Sequence, residues 1–335
     1  MVPLSVLELG RVRQDSSRRT ALDEAVVVAR QVEALGYHRI WVAEHHNMPM
    51  VTTAATAVVI GHLAAATTTI RVGAGGIMLP NHAPYVIAEQ FGTLETLFPG
   101  RVDLGLGRAP GTDQVTLRAL RRDPANAEHF PQDVLELQAF LAPAAPGQRI
   151  EAVPGSGTNV PLWILGSSLF GAQLAAEFGL PFSFASHFAP KHLDEAVALY
   201  RERFKASRQL AAPYVMVGVN IVGADSDDEA RRLATSHRMS FIDLFRGTTR
   251  QLLQPPIDDL DTYLLPHEKE TAGKMFRRDI VGSVATVRAG IDALVTRTKA
   301  DELIVVSDVY HFPARRRSFE VIAEAANLTA IASTT

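Results

Sequence analysis

The chain has no cysteine, which removes disulfides, thiolate metal sites and cysteine nucleophiles from consideration. Excess charge of either sign is missing as well: 33 Lys and Arg stand against 36 Asp and Glu. A nucleic-acid partner, which leaves a strongly basic footprint, is therefore not expected. Long hydrophobic runs are also absent. The least polar stretch, 51–66, is too short for a membrane span and carries Thr52, Thr53, Thr56 and His62. No basic segment followed by a long apolar run opens the chain, so no signal peptide is read. A cytoplasmic location without a membrane partner is the expectation.

What the chain does have is alternation. Short apolar runs at 4–9, 39–43, 70–73, 101–106, 162–165, 182–184, 214–222 and 303–306 read as strands. Helical periodicity follows them at 18–35, 53–66, 84–97, 169–178, 191–210, 226–244 and 315–326, with another helix at 282–298. In the first helix Ala25, Val28, Ala29, Val32 and Leu35 recur at three- and four-residue steps, and Gly36 provides a stop. Eight strands close a parallel barrel, so the predicted fold is α/β, a (β/α)8 barrel with insertions, in one domain over 1–335. The rival is an open Rossmann-type sheet. Helical pieces are expected over 111–141 and an irregular or hairpin insertion over 148–160. The connection 246–279, with Pro255-Pro256 and the acidic run Asp258 to Asp261, is long for a loop. It is read as a lid or a poorly ordered segment.

A barrel of this kind carries its active site at the C-terminal ends of its strands. The unusual residues of the chain gather there: Glu44-His45-His46 after strand two, Gly75-Gly76 after strand three, Gly107-Arg108 after strand four, Gly166-Ser167-Ser168 after strand five and Ser186-His187 after strand six. A glycine and two hydroxyls opening a helix suit a phosphate, but a serine there also serves as a plain N-cap. Arg108 fits a fixed cation near an anion, or a surface salt bridge. Gly105 to Gly111 fails as a dinucleotide fingerprint because its third glycine is a residue late and Pro110 sits where the helix should open. Of the adjacent His45 and His46, only one can face the barrel mouth from an extended chain. A histidine in a cleft can move a proton near neutral pH. No metal is expected, since a barrel metallohydrolase would want His-x-His where strand one reads Leu7-Glu8-Leu9.

The stretches Trp41 to Asn47, Gly73 to His82, Ala88-Glu89-Gln90, Leu97 to Arg108, Leu165 to Ser168 and Ser183 to Phe188 together resemble the bacterial luciferase-like flavin-dependent monooxygenase family. The resemblance implies reduced FMN and oxygen, acting on a small organic substrate. It implies that His45 stands in the place of the catalytic histidine and that Gly75-Gly76 forms a non-proline cis peptide beneath the flavin. Arg108 would lie near the cofactor as a catalytic and binding group, with Gly166, Ser167 and Ser168 on its phosphate and His187 beside it. Gly107 falls where luciferase itself carries a reactive cysteine. His46 is assigned to structure or the pocket wall.

An F420-dependent dehydrogenase or reductase on the same fold is the alternative, and a non-catalytic flavin-binding protein is a third. With no nicotinamide fingerprint in the chain, a separate flavin reductase is the expected partner. A homodimer is expected through the alanine- and threonine-rich stretches 54–57 and 64–67. Phe98, Phe184, Phe188 and Phe245 are candidate pocket walls, and the substrate itself is not readable.

Overall fold

The computed structural model describes residues 2–248 and 251–330. Among these the strands are β1 (Leu4–Glu8), β2 (Arg39–Val42), β3 (Arg71–Met78), β4 (Val102–Gly107), β5 (Leu162–Gly166), β6 (Phe182–Phe184), β7 (Val215–Gly223), β8 (Ile280–Gly282) and β9 (Glu302–Val306). The helices that follow are α1 (Arg18–Ala34), α2 (Thr56–Ala65), α3 (Pro84–Leu97), α4 (Gln114–Ala119), α5 (Phe130–Leu141) and α6 (Leu169–Phe178). They continue with α7 (Leu193–Arg203), α8 (Asp227–Phe245), α9 (Lys269–Met275), α10 (Val284–Thr298) and α11 (Phe312–Ala325).

Eight parallel strands close on themselves in the circular order β1-β2-β3-β4-β5-β6-β7-β9, as predicted. The ninth strand, β8, lies outside the count. The nine-residue β7 is long enough to pair with β9 through Met216–Asn220 and then, at its far end, with β8 through Ile221–Gly223. Sequence reading missed β8 because three residues carry too little pattern to separate a strand from a helix entry.

Local signals account for most element ends. Ser17 and Ser226 accept from Thr20 N–H and Glu229 N–H as N-caps. Asp227, Asp228 and Glu229 then set negative charge against the positive end of the α8 dipole. Gly179 ends α6 in the left-handed region at φ +62°. Some expected boundaries shift. The third strand runs on to Met78, so Gly75-Gly76 lie inside it. Helix α7 stops at Arg203, short of 210. The segment 148–160 holds turns and no strand among the described residues, which selects the irregular form over the hairpin.

Between strands and helices lies one continuous apolar core, which includes Val6, Ile40, Phe91, Leu104, Phe182 and Phe319. The barrel lumen is layered differently. At its N-terminal end Arg39 donates to Asp103 at 2.6 Å and to Glu302 at 2.7 Å, and Arg71 reaches Asp103 at 2.6 Å. Tyr214 Oη also donates to Glu302, at 2.9 Å. Burial disfavours the Arg39 charge, but the two carboxylates outweigh it and hold its pKa above the ordinary arginine value. Above this floor Trp41 and Trp163 meet edge to face at 5.1 Å. This aromatic layer lies beneath the C-terminal mouth, and Trp41 and Trp163 pack in one buried cluster with Leu7, Met216 and Ile304.

The connection 246–279 is tied to the end of α8: Arg246 pairs with Glu268 at 2.6 Å, and Tyr263 Oη donates to Asp243 at 2.7 Å. Residues 249–250 of this expected lid lie outside the described residues. No helix among the described residues is long and apolar enough to cross a membrane.

Candidate active site

A cavity of about 690 Å³ occupies the barrel mouth. Every residue proposed from sequence as catalytic or cofactor-binding lines it: His45, Gly75, Gly76, Arg108, Gly166, Ser167, Ser168 and His187. Leu7, Leu9, Trp41, Ile304 and Val306 supply an apolar base, and a few polar groups converge on it from the loops, the usual make-up of a small-molecule site.

One end of the cavity is built by β4, β5 and the start of α6. Ser168 occupies the N-cap of α6 in extended conformation, yet its side chain makes no capping bond. The first N–H groups of that helix therefore remain without a side-chain acceptor and present a positive dipole end. A Cβ on Gly166 would make only ordinary contacts, 3.5 Å from Gly171 Cα and 3.9 Å from Phe182 Cε2. Arg108 lies 4.0 Å from the Phe170 ring centroid, is exposed, and forms no ion pair among the described residues. The salt-bridge alternative for Arg108 is thus not realised. Two hydroxyls, a helix N-terminus and a free guanidinium form a set of donors that matches a phosphate in charge and reach.

The Gly75–Gly76 peptide is cis, the geometry that the family resemblance implied. Neither residue has room for a side chain: a Cβ on Gly75 would lie 2.7 Å from Leu7 Cδ1, and one on Gly76 would lie 2.7 Å from the Gly105 carbonyl oxygen. The cavity wall there is bare peptide, a surface suited to a flat ring system. A Cβ on Gly107 would come within 2.9 Å of Met78 Sδ, so a cysteine at that position would need Met78 to move.

The histidine pair divides as expected, although both residues lie beyond the end of β2 and His46 sits in a bend. His45 faces the cavity, with its Nδ1 buried and unpartnered. Burial lowers its pKa, and the nearby Arg11 charge lowers it further. His46 turns away and lies 2.8 Å from Glu44 Oε1, where His82 also arrives at 2.9 Å. The other Glu44 oxygen accepts from Met78 N–H at 3.1 Å. Burial pushes the fully buried Glu44 carboxyl up, but these hydrogen bonds outweigh it and hold the pKa below the ordinary value. Glu44, His46 and His82 bring three possible metal-ligating atoms within 4.8 Å of one another. Hydrogen bonds among them already satisfy the carboxylate. Sequence reading saw Glu44 and His46 but not His82, whose arrival depends on the turn after β3.

His187 packs its ring against Gly218, where a Cβ would lie 2.3 Å from Nδ1. Desolvation, reinforced by the neighbouring His237 and His45, pushes its pKa down to about 4, so it is neutral at physiological pH. Arg11, Met48, Met50, Asn220, His237 and Phe241 also line the cavity and were not anticipated. His237 and Phe241 sit within a helix that by sequence is ordinary, so no motif marks them. Of the four phenylalanines proposed as walls, only Phe188 lines the cavity. Phe184 is fully buried in the core, Phe98 packs against that core, and Phe245 is exposed. The aromatic walls are instead Trp41, Phe130, Phe170, Phe188 and Phe241.

The profile of a family described as "Luciferase-like monooxygenase" matches residues 2–302. A "Luciferase-like monooxygenase" of Escherichia coli (strain K12) is 49% identical over 321 residues, 96% of each chain. Among solved structures, apo-MsnO8 superposes with a TM-score of 0.88 at 32% identity, over 99% of this chain and 100% of that one. The oxygenating constituent of 3,6-diketocamphane monooxygenase from Pseudomonas putida, a type II Baeyer–Villiger monooxygenase in complex with FMN, shares the fold. Its TM-score is 0.73 at 19% identity, over 98% of each chain. F420-dependent enzymes share the fold at lower TM-scores.

Proposed function

Because the chain belongs to the luciferase-like monooxygenase family, we propose that it binds FMN in the barrel-mouth cavity. There it would use the reduced cofactor and oxygen to oxygenate a small organic substrate. The observation that carries this reading is the pairing, in one cavity, of a phosphate-shaped donor set with a bare peptide wall. Arg108, Ser167, Ser168 and the α6 N-terminus make the first, and Gly75-Gly76 make the second.

Reduced flavin, when bound, supplies the electrons that oxygen needs. The protein's own residues do the rest. Arg108 and the two serines would bind the phosphate, the Arg108 guanidinium offsetting its charge, and Gly75-Gly76 would leave space for the ring. His45 offers an imidazole nitrogen with no competing partner, able to hold or pass a proton inside the cavity. The neutral His187 can accept or donate a hydrogen bond without adding charge. The apolar base and the aromatic walls keep water out, which strengthens each polar contact. Arg108 is a binding group in this reading.

A reductase that delivers reduced FMN belongs to the reading, as does closure of the 246–279 connection over the mouth. A homodimer also belongs to it. Exposed Val58 on α2 and exposed Val86 and Leu97 on α3 supply apolar surface beside the alanine-rich stretches. Light scattering at the mass of one chain would remove the dimer.

The deciding experiment titrates the protein with oxidised FMN and, without air, with reduced FMN. Calorimetry and tryptophan fluorescence are the readouts. Affinity in the micromolar range or tighter is expected. The reading fails if neither form binds, and binding of F420 in place of FMN would move the chain to the F420-dependent branch of the fold.

A further inference from the structure

The circular strand order sets the loop after β9 opposite the loop after β4, and the loop after β1 opposite the loop after β5. Arg108 and the Gly166–Ser168 turn leave β4 and β5. Across the mouth, Arg11 follows β1 and Asp308 follows β9, joined by an Arg11 Nε–Asp308 contact of 2.6 Å. The cavity therefore has two polar ends with apolar wall between them, and the phosphate reading uses only one.

His237 stands at the second end. It projects from α8, is 3% exposed, lines the cavity, and among the described residues has no partner within hydrogen-bond distance at either ring nitrogen, although the pKa of the Asp308 carboxylate it faces is held low partly by it. Its Nδ1 is 3.8 Å from Asp308 Oδ2, too far for a hydrogen bond. Asn220 Oδ1, on the neighbouring wall from β7, is likewise unpartnered although its Nδ2 is fully used by the His187 carbonyl and Asp279. Buried polar atoms left unpaired cost free energy, and a native protein retains them where a ligand completes them.

Charge narrows the ligand. Arg11 is matched by Asp308, and Arg315 behind them is matched by Glu8 at 2.9 Å. An anionic head group would meet the Asp308 carboxylate, and a cationic one would meet Arg11. A neutral oxygen meets neither penalty.

We propose that His237 anchors the substrate, donating from its ring to a carbonyl or hydroxyl oxygen carried by an otherwise apolar molecule. Asn220 Oδ1 supplies the complementary acceptor. The proposal rests on the FMN reading in that it leaves the opposite end to the phosphate.

The test uses cyclohexanone and methylenecyclohexane, which share a shape and differ in the carbonyl oxygen. Trp41 lines the cavity and packs on Trp163, so the chain's two tryptophans report occupancy by fluorescence. Titrations are run with and without saturating FMN. The wild type is expected to prefer the ketone by about tenfold, the weight of one hydrogen bond. His237→Leu should erase that preference, and His237→Gln, which keeps a side-chain N–H, should restore part of it. FMN affinity should stay constant across the three proteins. Equal binding of both probes by the wild type, binding of neither, or a ketone preference that survives in His237→Leu overturns the proposal. Failure of FMN to bind the wild type in the same titrations sinks the FMN reading alone, because the ketone preference is read independently of it.

Discussion

His46 Nε2 lies 2.8 Å from Glu44 Oε1, two residues back along the same loop. This bond turns the second histidine of the pair away from the cavity and leaves His45 facing it. Through His82 and Met78 N–H the same carboxylate fastens the end of β2 to the end of β3. Glu44 thus positions the strand-two loop without lining the cavity. Glu44→Ala strands three donors at once and is expected to cost about 1–3 kcal/mol of stability. Urea unfolding measures it, and a variant as stable as the wild type would mean that water replaces the carboxylate at no cost.

In the proposed reading Arg108 meets the phosphate of FMN and not its ring. A charged hydrogen bond contributes about 1.5–3 kcal/mol, so Arg108→Ala is expected to weaken FMN by about 10- to 100-fold. Riboflavin, which has the ring and no phosphate, should bind both proteins alike. Calorimetry with the two flavins decides it: parallel losses would place Arg108 away from the phosphate.

His45 is assigned to proton handling and not to cofactor affinity. His45→Ala is expected to lower oxygenation of any substrate the wild type turns over by about 100-fold, within the range for loss of a general acid or base. FMN affinity should change little. The readouts are product formation with reduced FMN and the FMN titration. Full turnover in the variant would remove His45 from the chemistry.

His187 predicts a pH dependence of stability. Its folded pKa, about 4, lies below the ordinary histidine value of 6.5. Between these values the unfolded chain binds the proton and the folded one does not, so stability falls as pH drops from 6.5 towards 4. The contribution is on the order of 3 kcal/mol. His187→Gln removes this titration, and its melting temperature should fall less than that of the wild type between neutral and acid pH. Identical slopes would mean that the ring takes up its proton in place.

Much of the site was legible because the fold puts chemistry at strand ends. Once eight apolar runs are counted, Glu44-His45-His46, Gly107-Arg108 and Gly166-Ser167-Ser168 fall at the same end of a barrel whatever the loops do. That His45 and His46 point apart was also expected, although they lie beyond the end of β2. Which of the two faces the cavity was not readable from spacing alone. That depended on His82, brought in from the turn after β3 to share the Glu44 oxygen.

The remaining misses share that cause. Arg39, Asp103 and Glu302 look like stray charges in apolar strands, and only barrel closure brings their side chains together in the lumen. Phe184 was placed on the wall but points into the core, since alternate strand residues face opposite sides. His237 lies in a helix that any periodicity count would treat as packing. By itself, then, the sequence determined the barrel, the end where the cavity opens, and the residue types at the Arg108 and Gly166–Ser168 end of it, because these follow from local pattern and strand count. Only the tertiary structure decided which side chains share the cavity, and above all that Arg11, Asn220 and His237 form a second polar end. Such contacts join residues far apart in the chain, whose meeting depends on packing that no short window of sequence contains.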